Sequence, residues 1–235
     1  MSKLDDNEIA HFAQRFGAEF FGVADISSAR DFVLAFGGSA ITEYPRAASL
    51  GVSLSNTIVN ALPRWAERAV ARRYWHHVYD VTNGRLDLMA SRLAAALRHD
   101  GYRSLVIPAS KRTDDERICA VFSHKLAAGQ AGLGWIGKSC LLVTPQKGPR
   151  VRWVTVLTDA PLRATGRPIE QRCGTCRECV DICPVRALSG RAFCENEARE
   201  ARLDAGKCDH YRDKMKEDTG FGVCGLCLYV CPYGR

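Results

Sequence analysis

The sequence has no apolar run near the ~20 residues that a membrane-spanning helix requires, so a helical membrane protein is excluded. Its first eight residues, Met1 to Glu8, are polar and acidic. The basic start and apolar stretch of a secretory signal are missing, and a cytoplasmic protein is expected. There is no internal repeat, no low-complexity tract, no P-loop and no recognisable RNA-binding signature. Cysteine is nearly absent from the first 170 residues, where only Cys119 and Cys140 occur.

The 235 residues, 46% hydrophobic and 25% charged, are enough for one large domain or two unequal ones. The formal net charge of +7 is moderate. It suits a polyanionic partner such as tRNA, an acidic ferredoxin or a phosphate-bearing cofactor. It suits equally an arginine-rich solvated surface.

Nine of the eleven cysteines fall between Cys173 and Cys231. Without an export signal, clustered cysteines point to metal rather than disulfides. The first run is Cys173-x2-Cys176-x2-Cys179-x3-Cys183-Pro184. This is the bacterial ferredoxin spacing, in which three closely spaced thiolates wrap one cubane and the fourth reaches a second. The second run is Cys208, a gap of fifteen residues, then Cys224-x2-Cys227-x3-Cys231-Pro232. It repeats the motif with its first interval stretched. Crossed ligation then predicts two [4Fe–4S] clusters, one on Cys173, Cys176, Cys179 and Cys231, the other on Cys183, Cys208, Cys224 and Cys227. Zinc competes for paired Cys-x-x-Cys, but the third cysteine and both Cys-Pro endings favour cubanes. Cys194 is an alternative to Cys208. Cys119 and Cys140 read as small core residues.

Ahead of the cysteines the chain reads as α/β. Ile9, Phe12, Ala13 and Phe16 keep helical spacing, with Asp5 or Asp6 as candidate N-cap and Gly17 as the stop. Phe20–Ala24 reads as a buried strand. Leu86, Met89, Leu93 and Leu97 mark a second helix ending near Asp100-Gly101, and Leu105–Pro108 a strand after it. Leu141–Val143 and Val151–Thr158 read as strands joined by the turn Gln146–Pro149. Arg163–Arg172 is polar and reads as a linker. The expected class is α+β, with an α/β domain at residues 1–165 and a small ferredoxin-like domain at 166–235. The latter is too short to bury a core easily and would be stapled by its clusters.

The segment Ala131-Gly132-Leu133-Gly134-Trp135-Ile136-Gly137-Lys138-Ser139 is rich in glycine and ends on a lysine. Its amides could approach a phosphate closely. It reads equally as a tight turn between helix and strand.

From that loop through Thr144-Pro145, Gly148-Pro149-Arg150 and Leu157-Thr158-Asp159 to the double cysteine run, the chain resembles epoxyqueuosine reductases and the cores of corrinoid reductive dehalogenases. The likeness covers residues 120–235 well. It continues more loosely through Gly17-Ala18, Gly22–Asp25 and His77–Asn83. It implies a nitroreductase-like, cobalamin-binding first domain. It also implies electrons supplied by a ferredoxin or flavodoxin, and a small-molecule substrate or corrinoid protein as acceptor. Gly132, Leu133, Gly134, Trp135, Gly137 and Lys138 would lie against the cobalamin.

Two departures stand out. Epoxyqueuosine reductases carry Asp-Ser-Ala-Pro before the loop, and its aspartate is thought to donate a proton. Here Ile118–Lys125 has no carboxylate. Many of them also continue into a helical-repeat domain that helps hold tRNA, whereas this sequence ends four residues after Cys231. Epoxyqueuosine and tRNA are therefore not expected as substrate and partner. His124 and Lys125 stand where the aspartate would be. His124 is a candidate proton donor and Lys125 a candidate anion holder; both could equally flank a helix start. His76 and His77, with Tyr74 and Tyr79, form a second candidate group for a corrin or its cobalt, or a helix surface with buried rings. Arg112, Asp114 and Asp115 form a polar loop that could line an entrance.

Overall fold

Apolar residues recurring every three or four positions become helices where the sequence predicts them. The computed structural model describes residues 6–27, 41–194 and 197–235; the candidate cap Asp5 lies outside them. Helix α1 spans Asp6–Arg15 and buries Ile9 and Ala13. The chain turns at Gly17, whose φ of +90° suits a residue without a Cβ.

Strand β1 (Phe20–Asp25) pairs antiparallel with β2 (Arg46–Ser53). The latter was not foreseen: Arg46-Ala47-Ala48-Ser49-Leu50-Gly51 lacks β-branched residues, and only its tertiary setting makes it a strand. Short helix α2 (Asn56–Asn60), a 3-10 turn (Leu62–Arg64) and α3 (Arg68–Trp75) follow. A π-helical stretch at His76–Thr82 leads into α4 (Asn83–His99). Next come β3 (Ser104–Ile107) and α5 (His124–Gln130). Strands β4 (Trp135–Ile136) and β5 (Leu142–Val143) form a small hairpin. Strand β6 (Val151–Thr158) pairs antiparallel with β3 and completes a sheet of order β1-β2-β6-β3. Short helix α6 (Glu178–Asp181), the longer α7 (Ala205–Thr219) and short α8 (Leu226–Val230) follow.

The chain divides into two interleaved units. The first comprises Met1–Val52, Thr82–Leu133 and Arg152–Ile169. Alternate residues of its strands face opposite sides of the sheet. Val23, Val154 and Val156 pack with Ile9 of α1 and Leu86, Leu93 and Leu97 of α4. Ala24 and Leu157 pack with Leu126 and Ala127 of α5 on the other side. Burying each such leucine contributes about 2 kcal/mol. The polar stretch expected as a linker is ordered at Thr165. Its amide donates to the Val23 carbonyl, and the Val23 amide donates to its hydroxyl, both at 3.0 Å. This covers the free edge of β1.

The second unit comprises Ser53–Val81, Gly134–Val151 and Glu170–Arg235. The expected single cut after residue 165 is therefore corrected. The reason lies in the apolar residues available. In this unit's core, Val59, Leu62, Ala71, Tyr74 and Val78 come from the early segment, and the cysteine-rich tail supplies chiefly Val223 and Leu228. The tail alone has too little apolar surface to fold around.

Candidate functional site

In the second unit the cysteines gather in the two crossed sets. Cys173, Cys176, Cys179 and Cys231 line one cavity of about 240 Å³, so the last cysteine of the second run joins the first three of the first. Burial, then the neighbouring Cys173, Cys176 and Cys231, push the Cys179 thiol up to about 11. The other set shows the same mutual influence. Burial raises the Cys227 thiol, with Cys224, Cys208, Cys179 and Cys183 adding to it. Burial also raises the Cys224 thiol, and Cys208 and Cys183 act the same way. Thiols raised in this way resist ionisation, so they become ligands only where a metal displaces their protons.

Local structure explains the convergence. Cys179 sits on α6 and Cys227 on α8, and these two short helices pack together. Gly225, at φ +69°, starts α8 and has no room for a Cβ, which would lie 2.9 Å from Leu62 Cδ1. Cys208 lies near the start of α7, where Asp204 caps the helix by accepting from the Lys207 amide at 2.9 Å. The stretched interval of the second run is thus filled by a helix of fifteen residues. The Ala187 amide lies 3.3 Å from Cys183 Sγ, placed to donate to a thiolate. Cys194 and Cys208 are both exposed, and it is Cys208 that acts on the Cys224 and Cys227 thiols.

The donor chemistry fits two cubanes. Among the described residues no group of three or more His, Cys, Asp or Glu side chains closes around one ion. The first set lines one cavity, room that four thiolates on four iron corners can use. A second observation concerns Arg150, which sequence reading passed over as one letter of Gly148-Pro149-Arg150. It is only 2% exposed. Its Nη1 donates to Asn56 Oδ1 at 2.9 Å and its Nη2 to the Tyr229 carbonyl at 3.1 Å, while its Nε has no partner. A buried cation without a carboxylate calls for an anion nearby, and an anionic cluster on Cys231 provides one.

The end of the expected cofactor loop packs against the first cysteine loop. Lys138 Nζ donates to the carbonyls of Gly174 at 2.7 Å and Cys176 at 3.1 Å, and it lines the first cavity. Those two acceptors tie the ammonium to the Cys173–Cys176 loop. Gly137 packs on Val143, and a Cβ there would stand 3.5 Å from Cys173 Sγ. A Cβ on Gly134 would come within 2.3 Å of the Val143 carbonyl oxygen, and one on Gly132 within 2.9 Å of that of Arg167. The space left by each missing side chain is therefore filled by the protein itself. Leu133 packs with the α5 core of the first unit. Trp135 is buried, edge-on to Tyr233 with ring centroids 4.8 Å apart, and the Tyr233 hydroxyl donates to the Arg172 carbonyl at 2.9 Å.

His124 and Lys125 belong to the first unit, at the start of α5, where the Ser123 hydroxyl caps the helix. His124 Nε2 lies 3.0 Å from the Pro108 carbonyl, which can only accept, so Nε2 carries the proton. Its Nδ1, at 2.8 Å, accepts from the Thr155 hydroxyl. Burial pushes the imidazole down to about 4, against the pull of the Pro108 carbonyl. The ring is neutral near pH 7 and both nitrogens are engaged. With these partners His124 ties α5 to β3 and β6. Lys125 is half-buried beside it. In the second unit, Tyr74 is buried and packs in its core with the half-buried Tyr79. His77 Nε2 accepts from the Ser55 amide at 3.0 Å, and His76 faces Asp80 at 3.4 Å. In the first unit, Asp114 pairs with Cys119 in a tight hairpin that includes Ile118 at φ +50°.

Comparison with known proteins agrees with this arrangement. Residues 172–234 match the family of the 4Fe-4S double cluster binding domain. The chain is 34% identical over 125 residues to the epoxyqueuosine reductase of Bacillus anthracis, covering 48% of this chain and 30% of that protein. It is 30% identical over 182 residues to that of Pseudomonas aeruginosa, covering 72% of this chain and 45% of the relative. The chain thus spans less than half the length of these relatives. A reductive dehalogenase, whose structure was used to suggest a mechanism for B12-dependent dehalogenation, shares the fold. Its TM-score is 0.73 at 21% identity, over 100% of this chain and 33% of that one. Among the described residues no helix is long and apolar enough to cross a membrane.

Proposed function

We propose that this chain is an iron–sulfur oxidoreductase of the epoxyqueuosine reductase type. It would take electrons singly from a ferredoxin or flavodoxin, move them through two [4Fe–4S] clusters, and use them to reduce a small-molecule substrate with the help of cobalamin. The observation that carries this reading is the crossed gathering of eight cysteines. Two clusters in one small unit make a wire, and a wire implies a donor at one end and an acceptor at the other.

The residues take distinct parts. The eight cysteines hold the clusters, and Lys138 fixes the loop that wraps the first. An open cavity of about 720 Å³ in the second unit is lined by Arg68, Arg72, Arg73 and His76 beside Trp75 and Phe221. Arg68 and Arg72 stand one helical turn apart, a like-charge spacing that costs stability and suits an acidic electron carrier.

Cobalamin would supply a redox-active metal for the substrate step. Its support is the fold shared with the reductive dehalogenase. The glycine loop adds none, because its glycines are packed on protein. The stretch 118–125 has no carboxylate, so we assign a substrate other than epoxyqueuosine. A second reading, an electron carrier or corrinoid-reactivating protein without its own substrate, draws on the neutral, fully engaged His124.

The test is anaerobic reconstitution followed by titration with cobalamin, read by the cobalt absorption bands and by paramagnetic resonance after reduction. Stoichiometric binding with cobalt reduced through the clusters supports the reductase. Intact, reducible clusters with no cobalamin bound would leave the carrier reading.

A further inference from the structure

We propose that Arg150 sets the direction of electron flow, by holding the cluster on Cys173, Cys176, Cys179 and Cys231 at a higher reduction potential than the cluster on Cys183, Cys208, Cys224 and Cys227. The proposal rests on the two-cluster reading above, and not on the identity of the substrate.

Charge placement carries the argument. Both groups that accept from Arg150, Asn56 Oδ1 and the Tyr229 carbonyl, are neutral, and its Nε is buried without a partner. The side chain lies against the turn that follows Cys231, since a Cβ on Gly234 would meet Arg150 Nε at 2.9 Å. Burial lowers its pKa and Arg235 adds to that, while Cys231 opposes both. A guanidinium does not give up its proton in a protein, so the buried charge persists and looks to the cluster for balance.

Lys138, which lines the first cavity and is held by two neutral carbonyls, adds to the charge of Arg150 there, whereas two other charges nearby are matched. Glu178, close to Cys231, is paired with Arg235 at 2.7 Å. Arg212, the cation that acts on Cys224, faces Asp209 at 3.6 Å and donates to the Gly222 carbonyl. Positive charge without a carboxylate partner, from Arg150 and Lys138, therefore lies on the side of the first set. Reduction adds one electron, and with it one negative charge, to a cluster as the donor loses that electron. A fixed cation in a low-dielectric site stabilises the reduced form. Electrons entering at the second cluster would then run downhill to the first.

The experiment is a redox titration of the reconstituted full chain against dithionite, followed by paramagnetic resonance. It compares wild type, Arg150→Gln and Asn56→Asp, which puts a carboxylate on the guanidinium. Each is also made in Cys183→Ala and Cys231→Ala backgrounds, which isolate the first and second cluster. Both changes should lower the midpoint potential of the first cluster and leave the second unmoved, whereas Arg150→Lys should keep the first near wild type. Equal shifts in both clusters, or no shift in the first while its signal is intact, would overturn the proposal. Should Arg150→Gln fail to hold iron, Asn56→Asp still decides. A wild-type protein that binds no cluster would remove the two-cluster reading itself, and is distinguished by its iron content.

Discussion

The first unit is held together by what it buries and the second by what it binds. In the first, α1 and α4 close one side of the sheet and α5 the other, over leucine, isoleucine and valine. In the second, the apolar core is small, and much of the packing is backbone against backbone around the cysteine loops. A sheet with layered cores stands on the hydrophobic effect. A cysteine-rich unit of this kind depends on ligation, as small metal-stapled folds do.

Removing iron from the reduced protein with a chelator should break the comparison open most widely. Amide hydrogen exchange within 170–235 should approach the unprotected rate, while β1, β2, β3 and β6 keep their protection, a difference of several kcal/mol. Simultaneous loss in both units would show that they share one stability. Next in size, Cys231→Ala should remove the cluster wrapped by Cys173, Cys176 and Cys179, and lower iron content by about half. Cys194→Ala should leave iron unchanged. If Cys231→Ala instead emptied the site of Cys224 and Cys227, crossed ligation would be wrong.

Glycine substitutions sharpen the contrast. Gly134→Ala, in the second unit, pushes a Cβ to within 2.3 Å of the Val143 carbonyl oxygen, which should cost about 3 kcal/mol. The melting temperature of the reconstituted protein should then fall by on the order of 8 °C.

The first unit should show a pH dependence through His124. Its folded pKa of about 4 lies below the ordinary 6.5, so the unfolded chain binds the extra proton between those values. Stability should be full above the ordinary pKa and fall as pH drops through that window. The loss is about 2 kcal/mol once partial exposure of the ring is allowed for. Denaturant unfolding followed in β6 should lose this dependence in His124→Gln; a dependence that survives the change belongs to another group. The smallest effect has the opposite sign. Gly84 sits exposed in α4 with nothing within 4 Å of a Cβ, and Gly84→Ala should stabilise by about 0.8 kcal/mol.

Much of this was legible in advance. Helical spacing at Ile9 to Phe16 and at Leu86 to Leu97, and the strands at Phe20, Leu105 and Val151, report local periodicity, and they appear as expected. Strand β2 was missed because alanine, serine and glycine carry no strand signal until neighbouring strands surround them. The glycine loop reads two ways, because a glycine serves a close ligand and a close backbone alike, and the letters do not say which. His124 was read as an acid because the sequence shows its type but not its partners, Pro108 and Thr155.

The sequence alone showed two cysteine runs at cluster spacing and pointed to their crossed division. Ligand spacing within a cluster loop is a property of a few consecutive residues, and the chain's covalent geometry enforces it. Only the tertiary structure decided what surrounds each set. Lys138 reaches a carbonyl 36 residues away and Arg150 an amide 94 residues away. Burial and charge arise from such distant meetings, so the electrostatic difference between two near-identical motifs exists only once the chain has folded.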